Sequence, residues 1–307
     1  MASRKHDGPN HSPLKLLLWA TLVAFLFGFT NLYSLPEDLL RTSRNKLHMQ
    51  QASGDIVLIA IDDASLRQVG RWPWPRKVFA DIITKADEAG AKRIFFDVIV
   101  NTKSEDADDR YFAEALKKAG NVTLPMQSRE GPGDGTVRNI PPLAMFAKHA
   151  EVASVALAYN YQNAVWRIPY AARTDDGVIP SFSAKLAGVS VKPGGLYAPD
   201  YSIDPKSIPT IASTKLLDPG FDARLLRGKD VVIGATAESL NDTFFLTGTG
   251  KMGGAYVHII GAESLKEGTA HSLGWLPALA IALMVATLAL FSRQSIVQNW
   301  LLAAARW

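Results

Sequence analysis

Residues 55–98, DIVLIAIDDASLRQVGRWPWPRKVFADIITKADEAGAKRIFFDV, constrain the fold more than any other stretch. Residues 56–61 form an unbroken apolar, largely β-branched run, as a strand buried on both faces requires. From 76 to 88 the apolar positions fall at helical spacing, with Val78, Phe79, Ile82, Ile83 and Ala86 on one stripe. Gly90 can end that helix, because glycine accepts the left-handed conformation a helix terminus often needs. Residues 94–98 read as a second buried strand. A helix crossing between two such strands predicts a parallel pair with a right-handed connection. The intervening RWPWPR is stiff, since Pro73 and Pro75 fix their own φ and restrict the residue before them. It presents Trp72 and Trp74 between Arg71 and Arg76. Asp62, Asp63 and Asp97 stand at the carboxyl ends of the two strands, where open parallel sheets place ligands.

The same reasoning extends along the chain. Residues 108–118 are predicted helical and 121–125 a short strand. The Gly- and Pro-rich 130–142 reads as a surface excursion, and 143–149 as a short helix. Two β-rich runs, 152–159 and 165–170, flank NYQNA and predict a hairpin. Short helices are expected at 180–187 and 211–217, with mostly loop over 189–209 and a strand near 201–203. RGKDVVIGAT, at 227–236, is a further strong buried strand, and 256–266 the last helix of this domain. The expected fold is α/β: a mixed, mainly parallel sheet with flanking helices and a β-hairpin, bracketed by transmembrane helices.

Hydrophobic residues make up 48% of the chain although 20% is charged, and two apolar stretches near the ends account for much of that balance. The first, 14–35, follows a basic tail with Arg4, Lys5 and His6 and carries no charge between 16 and 30. A spanning helix needs about 20 mostly apolar residues. A cleavable leader would end in a small-x-small site, which NLYSLPED lacks, so an uncleaved anchor is the better reading. The second, 273–291, is uncharged, with Trp275 at the interfacial level. The last twelve residues, 296–307, are too short to cross a bilayer at 1.5 Å per residue and read as the start of a further span. The chain thus divides into a cytoplasmic tail (1–13), a span (14–35), a connector (36–52) opened by Pro36, a domain (53–270), a second span (273–291) and a truncated third (295–307). Arg4, Lys5 and Lys15 beside the first span, and Arg293 beside the second, place the domain outside the cytoplasm.

Formal charge is +4, without a Lys/Arg block of the kind nucleic acid requires. The absence of cysteine excludes disulfides and thiolate metal sites. No GxSxG elbow, HExxH, P-loop lysine motif or cysteine nucleophile is present, so the chain reads as non-enzymatic, with no cofactor or metal. Ser239, Asp242 and His258 could form a hydrolytic set, but nothing in their spacing demands it. Glu105, Asp106, Asp108 and Asp109 lack the spacing of a calcium loop and read as a solvated helix start. His258, among Val257, Ile259 and Ile260, reads as a packed residue.

The candidate ligand site gathers Asp62, Asp63, Trp72, Trp74, Arg76 and Asp97, with Asp242 beside them. Each has a competing reading: an aspartate can be a helix cap, the tryptophans a plug over the core, and Arg76 the internal partner of Asp62 or Asp97.

VLIAIDDASLRQVGRWPWPR, FFDV, EDADDRYFAEAL, LLRGKDVVIGATAESLNDTF and GGAYVHIIGAESLKEG follow one another in an order that resembles the CHASE2 domain, over about 55–268. The resemblance implies an extracytoplasmic sensor of bacterial signalling receptors in the inner membrane, following one membrane helix and regulating a cytoplasmic output domain that this chain does not include. The output would be a kinase, a cyclase or a cyclic-di-GMP enzyme. It implies a homodimer, with the membrane and an unknown small ligand or periplasmic protein as partners and no nucleic acid. The rival readings are a membrane-anchored extracytoplasmic hydrolase and a periplasmic protein-recruiting module.

Overall fold

The computed structural model describes residues 13–29, 42–70, 72–130, 137–159, 164–175, 177–190, 194–240, 242–246, 249–268, 276 and 279–288. The basic tail before residue 13, the far end of the first apolar stretch, the connector up to 41, Arg71, most of the NYQNA turn and the segment 295–307 lie outside the described residues. The chain divides into two compact units, 1–40 with 271–307, and 41–270.

In the first unit, α1 (Pro13–Phe29) and the helical residues 279–288 are apolar. No helix among the described residues is long and apolar enough to cross a membrane.

The second unit opens with α2 (residues 42–47) and then β1 (Ile56–Ile61). Two helices follow, α3 (Asp63–Val69) and α4 (Arg76–Glu88), before β2 (Arg93–Asp97). Next come α5 (Asp106–Ala119), the long β3 (Val122–Glu130), β4 (Val137–Ile140), α6 (Ala144–Ala147) and β5 (Glu151–Ser154). Short strands β6 (Ala158–Tyr159), β7 (Val165–Pro169), β8 (Ala171–Thr174) and β9 (Gly177–Pro180) lead to α7 (Phe182–Ala187). After β10 (Leu196–Tyr197) come β11 (Thr210–Ala212), α8 (Ser213–Leu216) and β12 (Asp230–Ala235). The unit closes with the hairpin β13 (Thr243–Leu246)–β14 (Gly250–Gly253) and α9 (Gly254–Glu267).

The main sheet runs β11-β1-β12-β2-β3-β4, with β5 also on β3, and every pairing but β3–β4 is parallel. The expected α/β fold with a mainly parallel sheet and flanking helices is therefore observed. β1 and β2 are parallel, but they are not neighbours: β12 lies between them, pairing Ile59 with Ile233 and Phe96 with Ile233 on its two sides. The central strands are apolar at successive positions because both faces are covered. Val57, Ile59 and Ile61 join one core with α4, α5, α6 and α8, whereas Ile56, Leu58 and Ala60 join another with α7 and α9. Full burial of one such side chain contributes about 1.5–3 kcal/mol.

At the amino end of the sheet, Arg93 grips Asp230 through two hydrogen bonds, 2.9 and 2.6 Å, and donates to the carbonyls of Lys185 and Leu186 at the end of α7. That fork ties β2, β12 and α7 together. The predicted hairpin over 152–170 is divided. Its first run breaks into β5, which joins the main sheet, and β6, which pairs antiparallel with β7. Residues 211–217 are helical only from Ser213, since Thr210–Ala212 is a strand edge. Near 201–203, Ile203 makes a single bridge to Gln50.

Candidate functional site

At the carboxyl ends of β12, β2, β3 and β5 the chain leaves a cavity of about 1180 Å³. That is somewhat above the range of about 300–1,000 Å³ usual for small-molecule sites. Trp72, Trp74, Arg76, Asp97 and Asp242 line it; Asp62 and Asp63 do not. The reason lies in the crossing segment after β12. The backbone N–H groups of Thr236 and Ala237 both donate to the carbonyl of Ile61, which closes the end of β1. Asp62 instead caps α3, accepting from the Ser65 N–H at 2.7 Å, and Asp63 accepts from Ser239 Oγ at 2.8 Å.

Trp72 and Trp74 are wall and plug together. Their rings meet edge to face at 5.7 Å, and both lie against Phe79, at 5.9 and 5.8 Å. From Phe79 an aromatic series continues through Phe96, Phe112 and Phe146 into the core, with centroids 5.0–5.5 Å apart. The loop is anchored by packing that the core itself supplies. Trp74 is 3% exposed, and among the described residues its Nε1 has no hydrogen-bond partner.

Arg76 is the first residue of α4 and is 7% exposed. Its ion partner is neither Asp62 nor Asp97 but Asp109 on α5, with Nε 3.7 Å from the carboxylate, and Nη2 donates to the Thr102 carbonyl at 3.2 Å. Asp109 also accepts from the Ser104 N–H, at 2.9 Å, and so fixes the loop before α5. Burial pulls the Arg76 guanidinium below its ordinary pKa, and Asp109 opposes that shift. The acidic run read as a solvated helix start thus contributes one member, Asp109, that is 1% exposed.

Asp97 ends β2 opposite Gly234 of β12. A side chain at 234 would meet Ala255 Cβ at 2.6 Å and Asp97 Cβ at 3.4 Å, so glycine there admits the start of α9 and leaves room for the carboxylate. Gly253 packs on the Ala235 carbonyl, and a Cβ on Gly254 would lie 3.2 and 3.3 Å from the Asp242 carboxylate oxygens. The Gly-Gly step is therefore what brings Asp242 and the first turn of α9 to the cavity. Burial, and secondarily the nearby Asp242, push Asp97 up to about 8. Burial raises Asp242 as well. Both carboxyls are partly withdrawn from water, and among the described residues neither has a compensating cation.

His258, on α9, lines the same cavity while only 3% exposed. Its Nδ1 lies 3.4 Å from Ser183 Oγ, and its ring packs on Phe182 at 5.0 Å. Burial lowers its pKa to about 4. The packed reading describes its contacts, yet the ring also reaches the cavity. Tyr159 and Phe244, stacked at 5.9 Å, complete an aromatic side that sequence reasoning missed, since β6 and β13 are too short to show a pattern. The set Ser239, Asp242 and His258 does not assemble, because Ser239 is engaged with Asp63 and the polar neighbour of His258 is Ser183. Among the described residues, no group of three or more His, Asp or Glu could hold a metal ion.

The family model of the CHASE2 domain matches residues 16–292, beyond the 55–268 that carries the sequence resemblance and into both apolar ends. Comparison with curated proteins finds no match, and comparison with solved structures finds none. CHASE2 domains are sensory, not catalytic, modules of signalling receptors. With the match extending over most of its length, this chain belongs to the CHASE2 domain family.

Proposed function

We propose that the chain is the extracytoplasmic sensor of a receptor in the bacterial inner membrane, and that it reads its stimulus in the cavity at the carboxyl edge of the sheet. The observation that carries this reading is the cavity itself, about 1180 Å³, into which side chains of three chemistries from three parts of the chain converge: Trp72, Trp74 and Arg76 from one segment, Asp97 from the end of β2, and Asp242. Convergent polar groups on a mostly apolar wall are what small-molecule sites need. Asp62 and Asp63 have a structural role in this reading.

Anchoring by 14–35 and 273–291 is supported by how α1 and the helix at 279–288 present their apolar side chains. Leu18, Trp19 and Phe29 are exposed, Phe29 to 75%, as are Ile281, Met284 and Leu288. Such surfaces are costly in water and suit lipid. The sensor regulates a cytoplasmic output domain outside these 307 residues, and the receptor works as a homodimer. A ligand alters output only by binding the two receptor states with different affinity.

Filling the cavity tests the reading. Ala156, in its wall, can be replaced by Phe in the full receptor. Ala156→Phe should leave the domain folded by its melting curve and abolish the response across candidate stimuli. A folded Ala156→Phe receptor with an undiminished response would move the sensing surface elsewhere.

A further inference from the structure

Charge is unevenly distributed inside the cavity. The buried cation of the wall, Arg76, is already engaged with Asp109 and the Thr102 carbonyl. At the rim, exposed Lys103 and Arg173 are matched in number by Glu105 and Asp108. Asp97 and Asp242 are left: among the described residues, neither carboxylate has an ion pair or a hydrogen-bond donor. Burial and the nearby Asp242 hold Asp97 protonated up to about pH 8, so the pair carries a proton that a bound cation can displace. Such an arrangement is stabilised by a cation from outside the chain.

A second observation points the same way. His258 is 3% exposed, lines the cavity, and uses Nδ1 toward Ser183, so Nε2 has no partner among the described residues. Burial keeps the ring neutral, so it adds no competing positive charge. It offers one more polar atom in the same cavity. The stacked pair Tyr159–Phe244, close to Asp242, and the ring of Trp72 line the same cavity with π faces. Aromatic faces attract cations, most strongly where water is excluded. A metal ion is the poorer fit, because among the described residues no three potential ligands come together.

We infer that the cavity binds an organic ammonium, whose N–H groups or positive carbon shell are received by the Asp97 and Asp242 carboxylates while its hydrocarbon part lies on the aromatic faces. This rests on the cavity being the ligand site and names the ligand's class. Arg76 on the same wall attracts an anion less than a free guanidinium would, since Asp109 lies 3.7 Å from its Nε and Nη2 donates to the Thr102 carbonyl, although Nε makes no hydrogen bond among the described residues.

The test is calorimetric titration of the full chain in maltoside micelles with phenethylammonium, putrescine and choline, against 2-phenylethanol and phenylacetate as neutral and anionic counterparts. At least one ammonium should bind. The uncharged and anionic counterparts of phenethylammonium should bind about tenfold more weakly or worse, as loss of a charge-assisted contact implies. The doubly substituted Asp97→Asn/Asp242→Asn chain should stay folded and lose about tenfold or more in ammonium affinity. Three results would overturn the inference: no ammonium binds, phenylacetate or 2-phenylethanol binds as tightly as phenethylammonium, or the double variant binds ammonium undiminished. If phenylacetate binds and Ala156→Phe blocks it, the cavity remains the ligand site and only the ammonium class falls. The sensor reading falls separately, on the receptor response of Ala156→Phe.

Discussion

In the proposed site, Asp97 sets stability against ligand binding within one side chain. Its pKa in the fold, about 8, lies above the ordinary 3.8. Between those values the unfolded chain has released a proton that the native state still holds, so stability declines as pH rises through the window. His258 acts oppositely: lowered from 6.5 to about 4, it costs stability as pH falls through that interval. The two slopes oppose below pH 6.5, and Asp97 acts alone from there to about 8. Asp97→Asn should therefore melt higher than the parent and lose the decline between pH 6.5 and 8; a variant that keeps the parental slope would contradict the assignment. Arg76 makes the complementary case. From sequence it reads as a member of the candidate ligand site or as the internal partner of Asp62 or Asp97. In the fold its removal strands Asp109, so Arg76→Ala should destabilise by about 3 kcal/mol, the penalty for an orphaned buried charge. Adding Asp109→Asn should recover much of that loss, and additive losses in the double variant would mean the two do not interact. The pairing is illegible in the sequence because Asp109 stands in an acidic run whose other members, Glu105, Asp106 and Asp108, stay at the surface.

At the scale of elements, legibility follows the length of the apolar pattern. β1, β2 and β12 are readable because a strand buried on both faces cannot tolerate polar residues. α4 and α9 declare themselves by extent, α4 also by its apolar stripe. The strands β4, β8, β9, β10, β13 and β14 have two to four residues each and are held by ladder bonds to their partners, so no local pattern marks them. The order of strands is hidden because it rests on long-range pairing. Insertion of β12 between β1 and β2 depends on pairings such as Val57 with Val231, far apart in the chain. The glycines of GGAYVH have a geometric explanation that only the fold supplies. Gly253 has an ordinary φ of −63°, so backbone conformation does not require glycine there. The demand is steric, since a Cβ would press on the Ala235 carbonyl and lie 3.0 Å from Thr236 Cα. Backbone cannot step aside as a side-chain tip does, so Gly253→Ala should cost about 1–3 kcal/mol by overpacking. Urea denaturation checks this, and a midpoint equal to the parent's would show that α9 does not dock on β12 through this residue.

At the scale of the whole molecule, the chain has two units with different surfaces. The unit 41–270 buries its apolar residues in two cores, one on each face of the sheet. The described residues of the other unit expose theirs, as a lipid-facing surface does. The absence of cysteine allows one experiment to address location and cavity together, because an introduced thiol is unique in this chain. Ala156→Cys places that thiol in the cavity wall. Intact cells carrying the receptor with this substitution are treated with a membrane-impermeant maleimide, and both labelling and receptor output are measured. A sensor whose cavity faces the outside should label without lysis, and the labelled receptor should no longer respond to its stimulus. Labelling only after lysis, or full labelling with an unchanged response, would contradict the account.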